Sequence, residues 1–239
     1  MTFELSPEQQ AARDAAQAFA RDRLASAAPQ IDESGNIAGE LLQEVRRLAG
    51  DLRHDAVTLV TVVEELASAS AAAAAAGVLG TKTNEAAAPG LRGFHATGAG
   101  DARSRLVMAA VALGIGRAAL TAAIDTLRES ARQSHDQDKP HWAVADAATE
   151  VAAARVLTLH AAQTIGDEDA AAGFVAMAKL TAARAAQMAV DVALRITGPP
   201  GFARGALLER LSRDARAVAL LLGTEEDLRA VAANALFPG

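Results

Sequence analysis

Ala102-Arg103-Ser104-Arg105-Leu106-Val107-Met108-Ala109-Ala110-Val111-Ala112-Leu113-Gly114-Ile115-Gly116-Arg117-Ala118 opens the stretch that decides the fold. Apolar residues return at Met108, Val111, Ile115, Leu120 and Ile124, and the pattern runs to about residue 132. That period marks one face of an α-helix and rules out the alternation of a half-buried strand. The helix is long for a globular protein. Three more helices are expected downstream, over about 140–165, 170–197 and 205–221, and a short last one spans 225–236 with Thr224 as its cap.

Upstream, Ser6-Pro7-Glu8-Gln9 has the form of a capping box with proline in the first turn, so a first helix is expected to about residue 28. Residues 29–36 read as a loop. Leu41, Leu42, Val45 and Leu48 mark a second helix that Gly50 ends, and a third is expected over about 56–78, including the alanine run 71–76. Between residues 80 and 101 Pro89 and several glycines erase the period, which reads as a linker. The expected organisation is an all-α bundle with an N-terminal helical part (1–80), a linker (81–101) and a C-terminal bundle (102–239).

Composition agrees. Of 239 residues, 51% are hydrophobic and only 3% aromatic, and roughly a quarter are alanine, the strongest helix former. The absence of cysteine excludes disulfides, thiolate metal sites and a cysteine nucleophile. A net charge of −6, with Lys and Arg dispersed among carboxylates, argues against a nucleic-acid partner. The N-terminus has no signal-peptide pattern and no run is expected to span a membrane, so a cytoplasmic location is expected.

Few motifs promise chemistry. A di-metal helical site needs Glu-x-x-His pairs; only Asp51 with His54 and Asp138 with His141 come near, each at a helix start where Asp serves as a cap, so no metal is expected. His95, His135 and His160 complete the histidines, and no nucleophile-elbow pattern accompanies any serine. Gly114-Ile115-Gly116 follows no strand and is read as a close helix contact, not a dinucleotide turn. Glu64 and Glu65 are paired carboxylates, but neighbours on a helix diverge, so at most one would face a pocket.

In order and spacing these segments resemble the acyl-CoA dehydrogenase family. Val62-Val63-Glu64-Glu65-Leu66-Ala67 is similar to its Val-x-Glu-Glu-Leu helix, and residues 109–118 to the first long helix of its C-terminal domain. Met177-Ala178-Lys179 resembles its Met-Ala-Lys, and residues 196–202 (Ile-Thr-Gly-Pro-Pro-Gly-Phe) stand at its Gly-Gly-x-Gly turn. Arg213-Asp214-Ala215 and Gly223-Thr224-Glu225-Glu226 stand at its Arg-Asp-Ala and Glu-Gly-Thr-x-Glu.

The departures shape the functional expectation. The family carries a flavin-covering β-barrel domain where this chain has residues 80–101. Its general base, a Glu before the Gly-Thr pair, is replaced by Leu222; an alternative base position reads Ser104-Arg105. Arg132-Gln133-Ser134-His135-Asp136 replaces an Arg-x-x-Phe-Gly segment that reaches a neighbouring subunit's flavin, with Lys139-Pro140 as its remnant. The resemblance therefore implies no resident cofactor.

Three functions are weighed. In the first, Ser104, Arg105, Met108, Leu222, Thr224 and Glu225 line a mostly apolar cleft for an acyl or polyketide-like ligand, with Glu225 and Arg105 as the candidate catalytic groups of a flavin-independent, redox-neutral cyclisation, isomerisation or elimination. In the second, the chain is a non-catalytic partner of a full-length acyl-CoA dehydrogenase. In the third, ranked last, FAD is still bound across a dimer through Thr224 and the Gly198 turn. At least a dimer is expected, through helices from about 102 to 197. Thr224 and Glu225 also have a purely structural reading, as the start of the last helix.

Overall fold

The computed structural model describes residues 4–50, 55–80, 90–94, 96, 100–133, 138–166 and 168–237. No strand occurs among them. The helices, in chain order, are α1 (Pro7–Phe19), α2 (Ala25–Ser34), α3 (Gly39–Ala49), α4 (Ala56–Ala69), α5 (Ala71–Leu79), α6 (Ala102–Gln133), α7 (Asp138–Thr164), α8 (Glu168–Thr197), α9 (Leu207–Leu220) and α10 (Glu225–Leu236). α6 is the axis of the bundle, packing against α4, α5, α7, α8 and α9, while α1 lies on α4 and α10 on α8.

Local chemistry explains most boundaries. The Ser6 hydroxyl accepts the Gln9 N–H at 3.2 Å while the Gln9 side chain accepts the Ser6 N–H at 3.0 Å, which completes the capping box. Gly50, at φ 64°, closes α3 in a conformation that costs glycine little. Thr224 and Asp227 form a second capping box at the start of α10.

Three expectations at sequence level are corrected. Residues 29–34 are helical, not loop: a π-turn over Ala20–Leu24 joins α1 to α2, and the helix passes through Pro29 because Leu24, Ala28 and Ile31 recur on one buried face. The third helix is two, since Ser70 takes an extended conformation (φ −149°), ends α4 and accepts the Ala73 N–H to start α5. Finally, α6 does contain a stretch, Ala102–Ala131, long and apolar enough by length and composition to cross a membrane. Its most apolar window is 72% buried among neighbouring helices, the environment of a core helix.

Small residues set the spacing of that core. A Cβ on Gly114 would stand 2.6 Å from both the Glu64 carbonyl oxygen and the Ala67 Cβ, so α4 and α6 touch backbone to backbone. The close contact read from Gly114-Ile115-Gly116 is thus present. Ala71 to Ala76 are all buried, and Gly77 meets Val45 of α3.

An ion cluster closes the same interface. Glu65, whose side chain is 3% exposed, accepts hydrogen bonds from Arg117 of α6 at 2.7 Å and Arg13 of α1 at 2.8 Å; Glu64 accepts one from Arg155 of α7 at 2.8 Å. Burial alone would raise the Glu65 carboxyl, but the bonds and charges of Arg117 and then Arg13 outweigh it and hold it below the usual range. The diverging directions expected of adjacent residues therefore let the two carboxylates pair with arginines of different helices.

The described part of the expected linker is docked against the bundle. Leu91 and Phe94 are buried, and a Cβ on Gly90 would lie 2.1 Å from the Arg213 carbonyl oxygen. The Leu91 N–H donates to Asp214 Oδ1 at 2.6 Å, and Asp214 is itself buried. Burial pushes this carboxyl up from 3.8 to about 6, against the opposing pull of the Leu91 N–H and Arg210.

Gly114→Ala should therefore destabilise the protein by ~1–3 kcal/mol, because the added methyl meets backbone that cannot rotate away. At Gly39, where a Cβ meets nothing within 4 Å, the same change should be neutral or stabilising; urea midpoints of the two variants compare them directly. A second expectation concerns pH. A carboxyl raised on folding costs stability above its folded value and returns it as the pH falls, so wild type should gain up to ~3 kcal/mol between about pH 6 and 4 relative to Asp214→Asn. Parallel pH profiles for the two proteins would show that folding does not raise the Asp214 carboxyl and would overturn this expectation.

Candidate functional site

The two segments expected to meet around a reaction centre, the start of α6 and the turn before α10, do meet. Arg105 Nε donates to the Leu222 carbonyl oxygen at 3.2 Å, and a Cβ on Gly100 would lie 2.9 Å from both Ser104 Oγ and Leu222 Cβ. Leu222 adopts a left-handed conformation, φ 59°, which is strained for a branched side chain, and Gly223 follows at φ 122°. Two cations face this turn from opposite neighbours in sequence: Arg105 from α6 and Lys179 from α8, whose Nζ donates to the Gly223 carbonyl oxygen at 2.6 Å. Carbonyl dipoles directed at two positive charges hold the turn in its strained shape.

Each expected site residue has a defined place. Ser104 sits in the first turn of α6 as the partner of the capping residue Asp101: its N–H donates to Asp101 Oδ1 at 2.8 Å, and its hydroxyl accepts the Asp101 N–H at 3.0 Å. Met108 is fully buried in the α6 core and Leu222 nearly so. Thr224 is exposed and exchanges hydrogen bonds with Asp227. Glu225 lies on the surface, bonded to Arg184 of α8 and, at 2.8 Å, to Arg229 one turn along α10. The Arg184 hydrogen bond holds its carboxyl below the usual range, the wrong direction for a group that must take up a proton near neutrality. Asp51, His54, His95 and His135 lie outside the described residues, as do the segment around His135 and the side chains of Asp138, Lys139 and Pro140.

Lys179 was legible only as part of a Met-Ala-Lys match, and the structure gives it a more pronounced position. Its side chain is completely buried, and burial first, then the nearby Arg105 charge, lowers its ammonium to about 8 against the partial compensation of Asp227. Helical periodicity could have flagged it: Lys179 shares a face with Ala176, Ala182, Ala183 and Ala186, where a charge is out of place.

The flavin of the resembled family does not match the groups present at the Gly198 turn. Pro199 and Pro200 have no N–H to offer a phosphate, and the Gly201 N–H already donates to the Gly198 carbonyl oxygen at 3.0 Å within a 3₁₀ turn. Thr224, the other expected remnant, is engaged with Asp227.

Comparison with known proteins fits this architecture. The family model for the acyl-CoA dehydrogenase C-terminal domain matches residues 92–237. A 3-sulfinopropanoyl-CoA desulfinase of Paraburkholderia xenovorans is 34% identical over 135 residues, covering 55% of this chain and 34% of the relative. A cyclohex-1-ene-1-carbonyl-CoA dehydrogenase of Geobacter metallireducens is 34% identical over 142 residues, 56% of this chain and 37% of the relative. The chain thus spans about a third of the length of these curated relatives. Among solved structures, butyryl-CoA dehydrogenase from Megasphaera elsdenii superposes with a TM-score of 0.80 at 19% identity, over 99% of this chain and 100% of that one. With a family model matched over more than half of its length and a helical body that superposes on a solved member, the chain belongs to the acyl-CoA dehydrogenase family.

Proposed function

We propose that this chain is a non-catalytic helical partner, assembling with a full-length acyl-CoA dehydrogenase or with further copies of itself. The observation that carries the reading is the engagement of every polar side chain expected at the reaction centre. Ser104 and Thr224 are held in helix capping boxes, Arg105 holds the Leu222 carbonyl, and Glu225 is bound by two arginines at the surface. Leu222, at the position of the family's base, has no group that accepts a proton. Removing such a base costs a factor of about 10² to 10⁴ in rate. The proline-containing Gly198 turn supports the same conclusion for flavin. Trp142 and Val156 on α7 and Met188 on α8 are exposed apolar side chains, the kind of surface a helical partner covers.

A redox-neutral acyl-CoA reaction is the second reading, supported by the relatives named 3-sulfinopropanoyl-CoA desulfinase, a name that describes loss of a sulfur group. Met108 and Leu222 would then give the ligand an apolar wall, and Glu225→Gln would lower turnover or binding.

One set of experiments separates the two. The purified protein should be colourless, should oxidise no acyl-CoA with an artificial electron acceptor, and should sediment above the mass of one chain. Mixed with a full-length acyl-CoA dehydrogenase from the same genome, it should form a mixed oligomer. Oxidation of an acyl-CoA by the chain alone, or a monomer that ignores that enzyme at every concentration, overturns the partner reading. Turnover of an acyl-CoA without an electron acceptor, reduced in Glu225→Gln, would establish the second instead.

A further inference from the structure

The outward side of α7 has the pattern of a helix seam rather than of a solvated surface. Over residues 142–156 its exposed positions include Trp142, Ala145, Thr149, Ala152 and Val156, spaced alternately three and four residues apart. That spacing is the 3.5-residue repeat with which one helix lies along another. A helix side that faces water is normally charged. α8 conforms, since its exposed ridge reads Arg184, Met188, Asp191 and Arg195. Among the exposed residues of 142–156 on α7, only Asp146 and Glu150 carry a charge.

These two carboxylates stand one helical turn apart, next in sequence to Ala145 and Thr149 of the seam. Among the described residues neither has a hydrogen-bond or ion-pair partner. The one cation of the stretch, Arg155, is committed to Glu64 at 2.8 Å. The seam is therefore bordered by uncompensated negative charge. Its middle positions, Ala145, Thr149 and Ala152, are small enough for a second backbone to come close, and Trp142, 72% exposed, offers an aromatic anchor at one end.

We propose that this side of α7 is the docking seam for a helix of a different chain, one that carries apolar residues at the same 3.5-residue spacing with Lys or Arg beside them. The inference rests on the partner reading above and names the chemistry of the partner's helix. A second copy of this chain does not fit. Paired antiparallel about Thr149, the two Glu150 carboxylates meet; paired in parallel, Asp146 and Glu150 each face their own copy, and like charges oppose association. A basic helix turns the same two carboxylates into cross-helix ion pairs that set partner choice. The seam is ~21 Å long, a small contact that suits reversible docking.

Trp142 is the only tryptophan of the chain, so the intact protein reports on its own seam. Two synthetic three-heptad peptides without aromatic residues serve as probes, sharing a Leu and Ala seam and differing only in flanks of Lys or of Glu. The Lys peptide should move Trp142 emission to shorter wavelength, shield it from acrylamide, and bind about tenfold or more tightly than the Glu peptide at low salt, a gap that narrows at about 0.5 M NaCl. In the doubly substituted Asp146→Lys, Glu150→Lys protein, folded by circular dichroism, the preference should reverse. Equal affinity for the two peptides, or a preference that survives the charge exchange, overturns the proposal. In a mixed oligomer with a full-length acyl-CoA dehydrogenase, a Trp142 as quenchable as in the free chain overturns the seam and leaves the partner reading standing. A reversed preference without any mixed oligomer upholds the seam and removes that enzyme as its partner.

Discussion

Two adjacent carboxylates on α4 hold together helices that are far apart in sequence. Glu65 binds Arg13 and Arg117, and Glu64 binds Arg155, so α1, α6 and α7 are fixed in register on one helix by groups that cannot leave water unless they are paired. The direct contact of α4 and α6 at Gly114 makes this possible, since a side chain there would separate the helices and lengthen every one of these bonds. The paired glutamates, which in isolation suggest acid-base chemistry, are thereby structural. The long α6 then presents its first turn to the 222–223 turn at a fixed height.

How much of this is legible in the sequence depends on the range of the interaction responsible. Caps at Ser6 and Thr224 and the stop at Gly50 are local, decided within four residues, and they stand where the residues say. The α6 period is local too, and its core role follows. Ser70 escapes because an alanine-rich sequence carries no signal at a break: the residues on both sides are excellent helix formers, and only a hydroxyl able to accept the Ala73 N–H marks the join. Pro29 misleads in the other direction, since burial of Ala28 and Ile31 outweighs the missing hydrogen bond. Docking of Leu91 and Phe94 depends on Asp214, 123 residues away in sequence, which no local pattern encodes.

The site follows the same division. Family order brings Ser104, Arg105 and Leu222 together, and the coordinates place them so. What the sequence does not convey is that these groups are already satisfied. Whether an arginine is a ligand-holding group or a prop for a carbonyl is a matter of the third dimension, and at Arg105 the Leu222 oxygen at 3.2 Å is a partner. Lys179 shows the converse: its isolation within an alanine face is visible in the sequence, while its company of Arg105 is not.

The alanines of α5 carry a genetic implication. Ala71 to Ala76 are all buried, where added volume is resisted by close packing, and every alanine codon becomes a valine codon by one pyrimidine transition at its second base. Each such change adds two methyls and a branched β-carbon to a buried helix. Drift by the commonest kind of base change is therefore felt most along this segment, and selection against it needs no reaction to be catalysed, only a helix that lies flat.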